Sequence, residues 1–354
     1  MAKKSAGVLL NVQTLRAVAV MSVALFHLWI LLPAAGLPTP PASGVDLFFV
    51  ISGFIMVQVT IGKEVSGGVF ALNRITRIVP LYWLFTGLQF LVALALPSLL
   101  NSTKANPVWL AKSLFFIPFQ KGEGGPLTPL LGVGWTLNYE MLFYGLFALS
   151  LAWLRKPWCY VAVVTALVGL VVWNLLARPA ALPLEFLSRP IVLEFALGMA
   201  AAGICRRLKV GSRVPLRGAL ALTALVSLGL LFHTWSAAVP RVVGYGIPAF
   251  LLVCSLVILE KSGRVFCCAP VKAVGDASYS IYLTHNFITT PAQNVVTTLH
   301  LDGPAAFGFL LLTLAVIVVV GVLTHRYLEE PLTRVVGRAL GVRPARAVLA
   351  PTAV

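Results

Sequence analysis

Apolar stretches of about twenty residues recur along the chain, and they constrain its fold more than any other feature. Hydrophobic residues make up 59% of the 354 residues and charged residues only 11%, whereas soluble domains carry about 25% charged residues. The chain is therefore predicted to be an all-α, polytopic membrane protein with about ten transmembrane helices. The predicted helices lie at about residues 10–32, 44–62, 78–98, 134–154, 158–176, 188–205, 218–236, 242–259, 274–292 and 305–325.

The net charge of +16 comes from short basic clusters between the apolar stretches. This distribution argues against a nucleic-acid partner and follows the positive-inside rule, by which cytoplasmic connections carry the excess of Lys and Arg. Only six of the 27 Lys and Arg residues fall in the alternate connections, namely Lys104, Lys112, Lys121, Arg178, Arg189 and Arg241. Both termini are therefore predicted to be cytoplasmic, with the protein in the inner membrane.

The chain is predicted to form one transmembrane domain over residues 1–335, followed by a short basic cytoplasmic tail over 336–354. Such a tail is more typical of a contact with the lipid surface than of a binding module. The segment 101–133 is the only long outer connection. Its aromatic residues among Pro, Gly and Lys predict an interfacial lid or a re-entrant piece.

Five ionisable residues lie inside predicted helices at similar distances from the outer ends of those helices: His27, Asp46, Glu140, Glu194 and His285. At a rise of about 1.5 Å per residue, all five fall within about 10 Å of the outer boundary. Facing lipid would be costly for them, so they are predicted to converge on a hydrated cavity inside the bundle. Each also has a structural interpretation, because a histidine can join helices, Asp46 can cap one, and the glutamates can pair with arginines.

Arginines are expected at the opposite boundary. Arg74 and Arg77 have i,i+3 spacing at a predicted helix start, so both guanidinium groups are predicted to face one side and to bind phosphate. Anchoring to lipid headgroups is the alternative. Arg16 lies on the same helix face as His27, about 16 Å from it along the helix.

Several motifs in this order resemble the acyltransferase family 3 of integral membrane acyltransferases. The motifs are Arg16 with His27, the stretch Gly44–Phe54, Arg74 with Arg77, the stretch Trp135–Glu140, the stretch Ser278–His285, and Glu329-Glu330-Pro331. The run Asn138-Tyr139-Glu140 is similar to the corresponding run of bacterial exopolysaccharide O-acetyltransferases. The match extends over essentially the whole chain.

The resemblance implies transfer of an acyl group, usually acetyl from acetyl-CoA, to a hydroxyl of a surface polysaccharide or a lipid-linked precursor. It implies His27 as general base, with Asp46 orienting the imidazole, and Glu140 as a further catalytic residue. It implies donor binding by Arg16, Arg74 and Arg77. Candidates for the oxyanion site, the acceptor site or the cavity are Trp135, Asn138, Tyr139, Glu194, Ser278, Tyr279 and His285.

Two other classes of function remain open at this stage. A transporter or flippase for lipid-linked saccharides would also need a polar cavity, but the chain has no repeated halves. A non-catalytic membrane scaffold would use the same ionisable residues as struts. No metal and no bound cofactor are predicted, because the five cysteines lack metal-ligand spacing. The expected partners are acyl-CoA, a saccharide acceptor and the bilayer, with homo-oligomerisation possible.

Overall fold

The computed structural model describes residues 9–95, 104–208 and 214–341, and every regular element in these ranges is helical. The α-helices are α1 Leu10–Phe26, α2 Leu31–Ala34, α3 Gly44–Thr60, α4 Gly67–Ala95, α5 Pro107–Leu114, α6 Trp135–Trp153, α7 Trp158–Ala177, α8 Leu182–Leu187, α9 Leu193–Arg207, α10 Val214–Phe232, α11 Ile247–Lys261, α12 Ala269–Asp276, α13 Ser278–Thr284, α14 Asn286–Leu299, α15 Gly303–Thr324 and α16 Glu330–Ala339. Short 3-10 turns precede α6 and α9, and π-helical turns cover Val242–Gly246 and His325–Glu329.

The predicted all-α class is confirmed for the described residues. Six helical spans there are long and apolar enough to cross a membrane: Gly67–Ala95, Trp158–Ala177, Leu182–Arg207, Val214–Phe232, Val242–Lys261 and Gly303–Ala339. The apolar helices α1 and α3 are shorter. The count of ten helices and the cytoplasmic termini stay predictions. Most of the predicted basic tail lies outside the described residues, as do Lys3 and Lys4.

The chain divides into two compact units. The first contains α1 to α3 and the helices from Glu194 to Tyr327, and the second contains Glu64–Leu193 and α16. The prediction of one transmembrane domain over residues 1–335 stays a prediction.

In the first unit, helices α3 and α9 run parallel in close contact. An added Cβ at Gly53 would collide with the backbone of Phe195, and one at Gly198 would collide with the backbone of Val50. Glycine is needed at both positions because only a residue without a side chain permits this approach. Asp46 lies one helical turn before Val50 in α3, and Glu194 lies one turn before Gly198 in α9. Because Val50 lies against Gly198 and the helices are parallel, Asp46 lies beside Glu194.

The first unit also anchors the start of α1. The backbone N–H groups of Leu10 and Asn11 donate to the carboxylate of Glu260 at 2.7 and 2.8 Å. A carboxylate at a helix N-terminus satisfies otherwise unpaired donors and interacts favourably with the helix dipole. This contact fixes the α1 end opposite to His27.

In the second unit, helices α4 and α6 run antiparallel. Gly67 lies against the backbone of Ala148, and at the other end Gly134 lies against the ring of Tyr82. Helix α4 begins at Gly67 rather than at about 78 as predicted. The antiparallel register therefore brings Arg74 beside Glu140, about midway along the pair.

The described part of the predicted outer segment packs on α4. The Tyr82 hydroxyl donates to the Ser113 carbonyl at 3.1 Å, and Trp83 Nε1 donates to the Leu114 carbonyl at 2.9 Å. The Tyr82 ring also stacks on Phe116 at 4.9 Å between centroids. These contacts attach the segment to a helix of its own unit.

Candidate active site

His27 lies immediately after the last residue of α1. Its Nδ1 is 2.9 Å from the carbonyl oxygen of Val23. Because a carbonyl oxygen only accepts, Nδ1 carries the hydrogen and Nε2 of the neutral ring keeps its lone pair. Helix α1 ends at Phe26, whereas the sequence predicted that it would continue to residue 32. Pro33 has no backbone N–H, so it cannot form the helical hydrogen bond to the carbonyl of Trp29.

His285 lies beside His27, between α13 and α14. The two ring centroids are 4.9 Å apart at an interplanar angle of 66°. His285 is fully buried, its Nδ1 is 3.2 Å from the carbonyl oxygen of Ile281, and its Nε2 has no hydrogen-bond partner among the described residues. The predicted convergence of these two histidines is confirmed, and both rings present Nε2 as the free basic atom.

Asp46 pairs with Arg241 rather than with His27. Arg241 Nε donates to Asp46 Oδ1 at 2.8 Å and Nη2 donates to Oδ2 at 2.6 Å. The same Nη2 donates to the Ala42 carbonyl at 2.8 Å. The prediction that Asp46 orients the His27 tautomer is therefore wrong, because the Val23 carbonyl occupies Nδ1 and Arg241 occupies both carboxylate oxygens.

Glu194 adds a second buried carboxylate next to this ion pair. It lies in the first turn of α9, is fully buried and interacts electrostatically with Asp46 and Arg241. Neither carboxylate oxygen reaches hydrogen-bond geometry with a described residue. The ion-pair partner of Arg241 among the described residues is Asp46, so the interpretation of Glu194 as a counter-ion to an arginine stays a prediction.

Arg241 was missed as a site residue, since charge counting placed it in an outer connection. A usable signal was present: no other Lys, Arg, Asp or Glu occurs between Arg217 and Glu260. A single charge in so long an apolar region indicates a partner in another helix.

The second unit holds a separate polar cluster around Arg74. Glu140 accepts a hydrogen bond from the Tyr144 hydroxyl at 3.3 Å, and both residues interact electrostatically with Arg74. Arg74 and Arg77 lie three residues apart within α4, so the predicted i,i+3 spacing on one helix is confirmed. Arg77 Nη2 lies 3.5 Å from Glu329 Oε1.

This cluster corrects two expectations. Arg74 is the eighth residue of α4, so its guanidinium does not lie beside the helix-start amides. The sequence predicted Glu140 near the outer membrane boundary and Arg74 near the inner one, yet the two residues face each other. Of the five ionisable residues, Glu140 belongs to the second unit and the other four belong to the first, and their predicted convergence on one cavity stays a prediction.

Comparison with known proteins identifies the chain. Residues 9–325 match the acyltransferase domain of the acyltransferase 3 family. The chain belongs to this family. It is also 36% identical over 299 residues to the exopolysaccharide production protein ExoZ of Rhizobium meliloti strain 1021. The aligned region covers 83% of this chain and 90% of ExoZ. No solved structure matches the chain.

The remaining candidate residues of this acyltransferase are divided between the units. In the second unit, Trp135 packs edge-on against Tyr139 at 6.0 Å, and Tyr139 stacks on Phe186 at 4.7 Å. Asn138 is buried, and its Oδ1 has no partner among the described residues.

In the first unit, Ser278 and Tyr279 begin α13 and lead toward His285. The Ser278 hydroxyl is buried without a partner among the described residues. Arg16 is half-buried on α1, and its Nη1 donates to Gln13 Oε1 at 3.2 Å.

Proposed function

We propose that this membrane acyltransferase moves an acetyl group from cytoplasmic acetyl-CoA to a hydroxyl of an exopolysaccharide or its lipid-linked precursor, in the inner membrane. Membership of the family supports acyl transfer. The relationship to a protein named for exopolysaccharide production supports a saccharide acceptor.

The observation that carries the mechanism is the hydrogen bond between His27 Nδ1 and the Val23 carbonyl. It fixes the tautomer in which Nε2 is basic, as a general base requires. His27 Nε2 takes the proton of the acceptor hydroxyl while the hydroxyl oxygen attacks the thioester carbon. The C–S bond then breaks, the CoA sulfur leaves, and the proton passes from His27 to that sulfur.

His285 acts as a positioning residue for this base. Its own Nδ1 is bonded to a backbone carbonyl, and its Nε2 is a buried acceptor next to the His27 ring. An acceptor in this place stabilises the imidazolium that forms on His27 during transfer.

The donor is proposed to bind through Arg74 and Arg77 of the second unit, and Arg16 of the first unit stays a candidate for donor binding from the sequence. Guanidinium groups suit the phosphates of CoA because their paired N–H donors match phosphate oxygens. Glu140 and Tyr144 hold Arg74 in place, so Glu140 supports catalysis through the arginine. The thioester oxyanion requires donors, and Trp135, Asn138 and Tyr139 are the candidates.

The test measures acetyl-CoA consumption and acetyl transfer by purified protein in detergent. His27→Ala is expected to lower turnover about 10²–10⁴-fold, the range for loss of a general base. His233→Ala is the matched control, because His233 is exposed and its ring packs edge-on against Trp235. Folded His27→Ala protein with more than a tenth of the wild-type rate would contradict the assignment.

The same assay separates the proposal from its rivals. A transporter or a scaffold consumes no acetyl-CoA and leaves the saccharide unmodified. Wild-type protein that releases no CoA in the presence of acceptor oligosaccharide would therefore reject acyl transfer as its activity.

A further inference from the structure

Helix α14 has three chemically distinct faces. At about 100° per residue, Thr289, Ala292 and Val296 share one face, and all three are buried. A second face carries only apolar side chains that are exposed: Pro291, Val295 and Leu299. The third face is polar, and it consists of Asn286, Thr290, Gln293, Asn294 and Thr297.

The polar face differs from an ordinary buried or lipid-facing surface. Thr290, Asn294 and Thr297 on this face are exposed. The helix carries no charged residue, so the face offers hydroxyl and amide groups alone. Five polar side chains on one face of a helix in so apolar a chain indicate a polar ligand or water rather than lipid.

The polar face begins at the histidine pair. Asn286 directly follows His285, and at a rise of about 1.5 Å per residue the face extends about 16 Å to Thr297. Gln293 also ties it to the residues after His27, because its Oε1 accepts a hydrogen bond from the backbone N–H of Ile30 at 3.0 Å. Trp29, which lies between His27 and Ile30 in the chain, is 59% exposed.

We propose that the polar face of α14 is the acceptor subsite, where it binds the sugar residues next to the hydroxyl that is acylated. The proposal rests on the proposed function. Hydroxyl and amide side chains donate to and accept from a neutral, hydroxyl-rich ligand. A phosphate group or anionic lipid headgroup would instead call for Lys or Arg, and α14 has neither.

The test removes hydrogen-bonding groups from this face without changing its shape greatly. The triple variant Thr290→Val/Asn294→Leu/Thr297→Val is assayed with de-O-acylated exopolysaccharide oligosaccharides as acceptor and acetyl-CoA as donor. The KM for the oligosaccharide is expected to rise about tenfold or more, because up to three hydrogen bonds are lost. The KM for acetyl-CoA is expected to stay within about twofold.

Thr298→Val is the matched control. Thr298 is exposed like its neighbour Thr297, but it lies about 100° further round the helix than Thr297 and about 40° beyond Asn294, toward the apolar face. Its oligosaccharide KM is expected to equal that of wild type. Thr297→Val alone should raise this KM about threefold, since it removes one bond.

Three results would overturn the proposal. The first is an unchanged oligosaccharide KM in the triple variant, which is also what a helix lying passively at the membrane surface predicts. The second is an equal effect of Thr297→Val and Thr298→Val. The third is an equal rise of both KM values. Failure of the proposed function looks different, because wild-type protein would then transfer no acetyl group to the oligosaccharide at all.

Discussion

Two arginine–carboxylate pairs of this protein have nearly equal burial but different geometry. Asp46 is 0% exposed and Arg241 37%, while Glu329 is 2% exposed and Arg77 31%. In the first pair, two N–H groups donate to both carboxylate oxygens at 2.8 and 2.6 Å. In the second, one nitrogen approaches one oxygen at 3.5 Å.

The difference shows that burial alone does not determine what an ion pair does. A bidentate pair satisfies both carboxylate oxygens, so its loss leaves a desolvated charge. A single contact at 3.5 Å holds the guanidinium loosely and leaves most of its donors for another acceptor. We therefore expect Asp46 with Arg241 to stabilise the first unit, and Arg77 to exchange Glu329 for a donor phosphate.

The largest expected effect is on stability. Arg241→Met leaves Asp46 fully buried without its partner, and it should lower the free energy of unfolding by about 3 kcal/mol. Arg77→Met should lower it by less than half as much, since only one long contact is lost. Denaturant titration in detergent, followed by tryptophan fluorescence, measures both.

The double variant Asp46→Asn/Arg241→Gln checks the cause of the loss. It removes both charges, keeps the size of the Asp46 side chain and replaces Arg241 by a shorter neutral amide, so it should recover part of the stability that Arg241→Met loses. Equal costs for Arg241→Met and Arg77→Met would mean that geometry does not distinguish the two pairs.

These pairs also show how far the sequence could be interpreted. The all-α class, the approximate helices and the proximity of His27 to His285 follow from apolar windows and from ionisable residues within them. The pairing of Arg241 with Asp46 does not follow from the sequence, because the two residues lie 195 positions apart in the chain. The isolated charge indicates that Arg241 has a partner in another helix, but only the tertiary contact reveals that this partner is Asp46.

The start of α4 was misplaced for a related reason. The residues before 78 include Asn73, Arg74 and Arg77, and these polar and charged side chains lower the local hydropathy below that of a membrane span. In the folded protein, Glu140, Tyr144 and Glu329 surround the two arginines, so the helix extends back to Gly67. The stretch 274–292 was likewise predicted as one helix, but it breaks at Ala277 and at His285.

The next prediction tests whether Arg77, which has a single long contact with Glu329, binds the acetyl-CoA donor. Arg77→Gln should raise the KM for acetyl-CoA about tenfold or more, because a charge-assisted hydrogen bond contributes about 1.5–3 kcal/mol. Acetyl-pantetheine, which lacks the phosphates of CoA, should show little change. Arg77→Lys should recover only part of the loss, since a point charge does not reproduce the guanidinium fork.

Arg334→Gln is the control for this series. Arg334 contacts Glu330 at 3.7 Å on an exposed surface, so its loss should change neither KM. Equal losses for acetyl-CoA and acetyl-pantetheine in Arg77→Gln would exclude phosphate binding and favour a structural role for the arginine.

The smallest expected effect concerns Lys121, a buried cation whose geometry resembles neither pair. Its Nζ donates to the Leu130 carbonyl at 3.4 Å, and desolvation lowers its pKa from 10.5 to about 8. The unfolded chain therefore binds more protons than the folded protein between pH 8 and 10.5. Stability should rise with pH through this window and stay flat below it.

Lys121→Met removes this titration. The variant should be more stable than wild type near pH 7 by roughly 1 kcal/mol, allowing for solvent near a side chain that is not completely enclosed. The two proteins should converge as the pH rises above 10.5, where Lys121 loses its proton in both states. Denaturant titrations of both proteins at pH 7, 8.5 and 10 test this. Parallel pH profiles would show that Lys121 keeps its charge on folding.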